Sequence, residues 1–442
     1  MPTIIINTAR EFNGIIEVPG DKSISHRAVM LGSIAEGITE IKGFLMGEDC
    51  LRTIEAFRKM GIDIRQRTEN REQKTEIAIH GKGLRGLSAP NKELYLGNSG
   101  TTMRIILGIL AGQDFECTLS GDESLSKRPM KRVSEPLSLM GAIITPKTKN
   151  REPNIELFPP LTIKGKYPLK PIKYKLPVAS AQVKSALLLA GLYSNGTSEI
   201  EEPLQSRDHT ERMLKEFSAD INIKGSKLLI KSSKLIAKGN IDIPGDISSA
   251  AFFMVAAAIS KSSKITIKNS GINPTRIGII DVLKRMEAKL AITNEKRDYF
   301  EPTADITVEA SALKGATIEA DMIPKLIDEL PVIMVAAVFS KGSTVIKGAS
   351  ELRVKETDRI VSMLTNLKRM GADIKTEGDD IIISGSGTLT GAEVDSFGDH
   401  RTAMSMAVAG LRAKGKTTIL NTDCIDKSFP EFERLFGACC AN

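Results

Sequence analysis

One arrangement returns six times along these 442 residues: an apolar helix with small residues, a Gly or Ser turn, a short β-branched strand, a charged loop, an amphipathic helix and another strand. The apolar helices are expected at 27–35, 103–111, 184–193, 249–259, 331–339 and 401–411. Turn and strand then read Gly37-Ile38-Thr39-Glu40-Ile41, Gly196-Thr197-Ser198-Glu199-Ile200, Gly342-Ser343-Thr344-Val345-Ile346 and Gly415-Lys416-Thr417-Thr418-Ile419. The second helices end in similar tails: Met60-Gly61-Ile62, Met140-Gly141-Ala142, Phe217-Ser218-Ala219, Met286-Glu287-Ala288, Met370-Gly371-Ala372 and Phe436-Gly437-Ala438. Tails recur every roughly 65 to 85 residues, too long for a solenoid unit but suited to a repeated βαβαββ module.

The first helices are apolar almost all round and are expected inside a domain. The second carry one apolar stripe, as in Leu51, Ile54, Phe57 and Met60. Buried helices inside and sheets outside, three repeats to a half, is the α/β architecture this predicts. Two stretches mark the halves: Val18-Pro19-Gly20-Asp21-Lys22-Ser23-Ile24-Ser25 and Ile243-Pro244-Gly245-Asp246-Ile247-Ser248-Ser249. In the first, Ser23 or Ser25 is the expected helix cap. One domain then covers residues 21–243 and the other 1–20 plus 244–442, with two chain crossings and an interdomain cleft. The Lys- and Pro-rich stretch 159–177 alternates like an edge strand rather than a linker.

Such a chain is long enough for two or three sizeable cores. An apolar content of 41% fits a soluble globular protein, and no apolar run approaches a membrane span. The first residues lack the layout of a signal peptide, so a cytoplasmic protein is expected. Lys and Arg total 61 against 54 Asp and Glu, an excess of +7 without blocks of like charge. Nucleic-acid binding is therefore not expected, while small anionic ligands remain open. The 5 cysteines and 4 histidines are scattered without metal-ligand spacing, so neither a disulfide framework nor a metal site is expected.

The chemistry gathers at helix starts. Capping explains the Asp, Ser and Asn there. It does not explain Lys22, Arg128, Arg207, Lys355, Arg359, Arg401 and Lys427, which stand where the helix dipole disfavours cations. An anion lying among them would account for their placement. If the helix starts of both halves face one cleft, these bases can hold two multiply charged small molecules, at about 1.5–3 kcal/mol for each charge-assisted bond. Asp328 and Glu356 are the acids among them suited to proton transfer, with a helix cap and a salt-bridge partner as their respective plain alternatives. Asn98-Ser99-Gly100 before a helix is a phosphate-cradle candidate.

Gly20-Asp21-Lys22-Ser23-Ile24-Ser25-His26-Arg27, Gly97-Asn98-Ser99-Gly100-Thr101-Thr102-Met103-Arg104, Arg353-Val354-Lys355-Glu356-Thr357-Asp358-Arg359 and Gly398-Asp399-His400-Arg401 resemble the 5-enolpyruvylshikimate-3-phosphate synthase family, across essentially the whole chain. Arg207-Asp208-His209-Thr210-Glu211, Ser180-Ala181-Gln182-Val183-Lys184 and Asn273-Pro274-Thr275-Arg276 resemble its class II branch, known for tolerance to glyphosate. That branch usually has Ala where this chain has Gly100, so tolerance is not carried over.

The resemblance implies a two-domain inverse α/β barrel. It implies transfer of the enolpyruvyl group of phosphoenolpyruvate to the 5-hydroxyl of shikimate 3-phosphate, with release of phosphate, in aromatic amino-acid synthesis. It implies a tetrahedral intermediate, domain closure, no metal or organic cofactor, and no nucleic-acid or membrane partner; a monomer is expected. By motif, Lys22, Ser23, Arg27, Ser180, Ala181, Gln182, Arg207, Asp328 and Lys355 would hold shikimate 3-phosphate. Lys22, Gly100, Arg128, Gln182, Arg359, Arg401 and Lys427 would hold phosphoenolpyruvate, with Asn98 and His400 as further candidates. Asp328 would take the hydroxyl proton, and Glu356 with Lys22 would handle the proton at the methylene carbon. The related UDP-N-acetylglucosamine enolpyruvyl transferases rely on a loop Cys that the corresponding 121–130 region lacks. An RNA 3′-phosphate cyclase of similar fold would need a nucleotidylated His and a long basic groove, against which the modest +7 speaks. A non-catalytic anion-binding protein would leave Asp328 and Glu356 without a task.

Overall fold

The structure is a computed structural model that describes residues 2–9, 11–68, 75–147 and 156–441. It divides into two compact units, Gly20–Ile243 and Met1–Pro19 with Pro244–Asn442. Among the described residues no helix is long and apolar enough to cross a membrane.

Among its described residues the Gly20–Ile243 unit holds three four-stranded sheets, each with one parallel edge pairing and two antiparallel pairings. Their strand orders are Gly239–Asp242, Glu36–Lys42, Thr75–Lys82, Asp63–Thr68; then Leu94–Tyr95, Glu116–Ser120, Leu161–Lys164, Ile143–Pro146; then Lys173–Lys175, Ser198–Glu201, Lys227–Ile230, Ile221–Lys224. The 159–177 stretch therefore departs from the expected single edge strand. Leu161–Lys164 is interior to its sheet and only Lys173–Lys175 is an edge. All five prolines of the stretch fall outside these two strands, so their missing N–H groups leave both ladders intact.

Three helices of this unit, Lys22–Ile34, Gly100–Leu110 and Ala181–Gly191, are buried on nearly every side because almost every residue of their bodies is apolar or small. The last two approach so closely that a Cβ on Gly108 would lie 2.1 Å from the Ala186 carbonyl oxygen. Only glycine fits at that crossing.

The other unit repeats the same plan. Its long helices Ile247–Ile259, Leu330–Val338 and His400–Arg412 are likewise buried, and two of its sheets combine parallel and antiparallel pairings in the same order, while a third, of strands Thr3–Ile6, Thr417–Leu420 and Glu393–Asp395, has three strands and one pairing of each kind. The N-terminal strands Thr3–Ile6 and Gly14–Glu17 complete two of those sheets. Between them Phe12, wholly buried, packs against Phe253 and Phe436, which ties the start of the chain to this unit.

Five of the six repeated tails share a backbone cause, whereas the sixth, Phe436-Gly437-Ala438, departs from the expected helix end and lies inside the Phe432–Cys439 helix. Gly61, Gly141 and Gly371 adopt φ of +86°, +114° and +92°, and Ser218 and Glu287 take φ of +64° and +61° in the same positions. Each follows a helix C-cap whose N–H closes the last turn, so the chain must pass through the left-handed region there.

Candidate functional site

In the Gly20–Ile243 unit the first candidates stand on the start of the Lys22–Ile34 helix. Asp21 caps it by accepting from Ile24 N at 2.9 Å, which corrects the expected Ser cap. Ser25 is turned away to accept from Leu45 N at 3.1 Å. The carboxylate is the stronger acceptor and also meets the positive end of the dipole. Lys22 forms an ion pair with Asp49, a buried acid in the first turn of the Glu48–Lys59 helix. Arg27, one turn further and buried, donates from Nε to Thr210 Oγ1 (2.6 Å) and from Nη2 to Ser185 Oγ (2.8 Å).

His26 of the same helix is enclosed. Its Nδ1 lies 2.7 Å from Thr53 Oγ1, which continues to Thr102 Oγ1 and on to Ser99 Oγ, each step 2.7 Å. Burial, with Lys22 and Arg27 adding to it, holds the imidazole well below its ordinary pKa of 6.5, so it is neutral in this hydroxyl chain. Ser99 in turn caps the Gly100–Leu110 helix through Thr102 N.

Around that helix start the candidates bond to one another. Arg128 Nη2 donates to Asn98 Oδ1 and, at 3.2 Å, to Ser124 Oγ; Asn98 Nδ2 donates to Asp122 Oδ2 at 2.8 Å. A Cβ on Gly100 would stand 2.9 Å from Arg128 Nη1 and 3.0 Å from Arg104 Nη1. Arg104 donates to Gln182 Oε1 (2.9 Å) and to the Pro129 carbonyl (3.1 Å), and Gln182 Nε2 donates to Thr101 Oγ1 (3.0 Å). Ser180 caps the Ala181–Gly191 helix, which brings Ala181 and Gln182 to its opening. Ser23 and Arg207 are half-buried, the latter on the loop before the His209–Glu216 helix.

In the other unit one guanidinium organises the candidates. Arg359 opens the Arg359–Arg369 helix, is 1% exposed, and faces three carboxylates with three different nitrogens. Its Nε donates to Asp399 Oδ2 (2.8 Å), Nη1 to Asp328 Oδ1 (3.1 Å) and Nη2 to Glu356 Oε2 (2.5 Å). Burial by itself would lower its pKa. The pull of Asp399, then Glu356 and Asp328, more than offsets this and holds the cation above its usual value. Asp399 serves twice, since its Oδ1 also caps the His400–Arg412 helix through Arg401 N and Thr402 N. Arg401 adds a second cation to Asp328, with Nε 3.4 Å from Oδ1 and Nη1 3.3 Å from the backbone oxygen.

Asp328 is therefore held by two arginines. The Leu330–Val338 helix has Glu329, not Asp328, at its N-cap, with no side-chain capping bond. Glu356 is indeed an ion-pair partner of Arg359, as its plain alternative had it. Lys355 and Lys427 are half-buried, at the ends of the Ser350–Val354 and Thr422–Lys427 turns of 3-10 helix, and His400 is buried at the first residue of its helix.

The bases that capping left unexplained thus have internal acids beside them in at least three places. Asp49, Asp328, Glu356 and Asp399 neutralise Lys22, Arg359 and Arg401. Of these, Asp49 and Asp399 read in sequence as ordinary helix-start acids. Arg104, which holds Gln182, lies inside an apolar helix and could be singled out only through its motif. No unit by itself carries every candidate.

Comparison with known proteins shows the family. The family model described as EPSP synthase (3-phosphoshikimate 1-carboxyvinyltransferase) matches residues 6–436. A 3-phosphoshikimate 1-carboxyvinyltransferase of Thermoanaerobacter sp. (strain X514) is 51% identical over 433 residues, covering 98% of this chain and 99% of that protein. One from Bacillus cytotoxicus is 49% identical over 427 residues, covering 97% and 98%. The solved EPSP synthase of Acinetobacter baumannii superposes with a TM-score of 0.85 at 46% identity, covering 99% of this chain and 98% of that one. The chain, an α/β protein from end to end, belongs to the EPSP synthase family.

Proposed function

We infer that this protein is a 3-phosphoshikimate 1-carboxyvinyltransferase. It transfers the enolpyruvyl group of phosphoenolpyruvate to the 5-hydroxyl of shikimate 3-phosphate and releases phosphate, a step of the shikimate pathway to aromatic amino acids. The finer features belong to the same reading: a two-domain inverse α/β barrel of six βαβαββ repeats, acting as a monomer in the cytoplasm.

The observation that carries the chemistry is the Arg359 fork. It holds Asp328 and Glu356 on adjacent terminal nitrogens of one rigid, buried guanidinium, and so sets the two acids in a fixed relation. The reaction needs two proton movements: one off the attacking hydroxyl and one onto the methylene carbon of phosphoenolpyruvate. Asp328 takes the first, and Glu356 with Lys22 supplies the second. The hydroxyl oxygen bonds to the substituted carbon as the methylene is protonated. Expulsion of phosphate from that carbon, with loss of a methyl proton, then restores the double bond. Fixed cations bind the anionic substrates throughout, without reorganising as charge moves.

Shikimate 3-phosphate is held by Lys22, Ser23, Arg27, Ser180, Ala181, Gln182, Arg207, Asp328 and Lys355. Phosphoenolpyruvate is held by Lys22, Gly100, Arg128, Gln182, Arg359, Arg401 and Lys427, with Asn98 orienting Arg128. A phosphate-release assay tests the assignment. Phosphate should appear from phosphoenolpyruvate only when shikimate 3-phosphate is present. Release with UDP-N-acetylglucosamine in its place would move the protein to the sister reaction.

The tight space at Gly100 gives a second expectation. Gly100→Ala would displace the Arg128 guanidinium, at a cost of roughly 1–2 kcal/mol. The KM for phosphoenolpyruvate should rise about 5- to 30-fold while that for shikimate 3-phosphate changes little. Steady-state kinetics with each substrate varied would show it, and an unchanged KM would remove Arg128 from the site.

A further inference from the structure

The Ala181–Gly191 helix carries one ionisable residue, Lys184, and it is fully buried. A lone ammonium in such a place is costly, and burying it with carboxylates adds their desolvation as well. Its surroundings are specific. Lys184 Nζ lies 3.0 Å from Glu202 Oε1, 2.6 Å from Glu211 Oε1 and 3.4 Å from the Ser206 carbonyl oxygen, three acceptors for the three protons of an ammonium. Glu202 turns its other oxygen to Ser206, accepting from the backbone N at 3.1 Å and from Oγ at 2.7 Å.

These partners share one segment. Glu202 directly follows the Ser198–Glu201 strand, Ser206 lies in mid-loop, and Glu211 is in the first turn of the His209–Glu216 helix. Both ends and the middle of the 202–211 connection are therefore tied to a single buried atom, and Arg207 is the residue after Ser206. Thr210, beside Glu211, accepts from Arg27 and is bonded to Ser185 of the lysine's own helix. An apolar residue at 184 would fill the same space with less desolvation; what it could not do is fix this loop.

We propose that Lys184, Glu202 and Glu211 are positioning residues that set the loop bearing Arg207 for the phosphate-bearing substrate, an effect that rests on the reading of Arg207 as a ligand of shikimate 3-phosphate. The triad touches no substrate; it acts through Arg207.

Calorimetric titration of the full-length protein with shikimate 3-phosphate, for wild type, Glu202→Gln, Arg207→Ala and the double variant, tests this. Glu202→Gln keeps the Lys184–Glu211 pair, so the fold is retained, but it leaves one amide oxygen where two carboxylate oxygens served Lys184 and Ser206, and the two can no longer both be met. The expected result is a Kd raised about tenfold in Glu202→Gln. In the Arg207→Ala background the same change should shift Kd by less than about twofold. The KM for phosphoenolpyruvate should stay within about twofold of wild type. An unchanged Kd in Glu202→Gln, or an equal loss in both backgrounds, would overturn the proposal and leave the triad a purely structural feature. Should Glu202→Gln fail to fold, Ser206→Ala, which deletes only the hydroxyl donor, enters the same cycle with the same two outcomes. A wild type that does not bind, or an Arg207→Ala variant that binds as well as wild type, would instead refute the underlying assignment of Arg207.

Discussion

Asp328→Asn should leave a folded protein that binds shikimate 3-phosphate near normally but turns over about 10²–10⁴ times more slowly. Asn keeps the shape of Asp and can still accept from Arg359 Nη1 and Arg401 Nε, which now hold the carboxylate at 3.1 and 3.4 Å. It cannot take up a proton from an attacking hydroxyl. The loss should therefore fall on kcat rather than on KM, the signature of a group that matters in the transition state. Single-turnover kinetics with saturating substrates would separate this from slow product release. A variant with wild-type kcat would reduce Asp328 to an anchor for the two arginines.

The second large effect concerns stability. Arg359→Lys retains a charge but not a planar fork, and an ammonium on a shorter reach cannot serve Asp399, Asp328 and Glu356 at their present positions. At least one carboxylate, Asp399 being wholly buried, is left without its cation. Removing one partner from such a cluster costs about 3–5 kcal/mol. Thermal or urea unfolding should show the unit of residues 1–19 and 244–442 melting earlier, with activity lost alongside. If unfolding is unchanged and only activity falls, the guanidinium serves the substrates alone and the buried network is not what holds these helix starts.

On the proposed mechanism the structural and the catalytic demands on Arg359 coincide. The side chain that fixes Asp328 and Glu356 also anchors Asp399, which in turn caps the helix carrying Arg401. Disturbing one of these five residues is expected to be felt by the other four, so single substitutions here will not be additive.

Much of the fold was legible in the chain because it is written repeatedly. Helices that are apolar all round can only be interior, and tails such as Met60-Gly61-Ile62 mark turns where backbone geometry admits few residues. Even Ser218 and Glu287, which replace the glycine, sit in that left-handed conformation, so the position in the repeat outweighs the residue's own preference. The motifs likewise brought Lys22, Arg128, Asp328, Arg359 and Arg401 into view before any contact was known.

What the sequence could not decide was pairing. Charges read along a chain have no distances, so the cations at helix starts pointed to a bound anion, when several of them already face Asp49, Asp328, Glu356 and Asp399. Helix caps depended on which side chain turned inward, and that choice belongs to the neighbours: Ser25 was claimed by Leu45 N, leaving Asp21 for the helix. Lys184 is the sharpest case. Its cost or value rests wholly on two acids 18 and 27 residues away. Periodicity and backbone preference are local and survive in one dimension, whereas electrostatic partnership exists only once folding has set the groups a few ångströms apart.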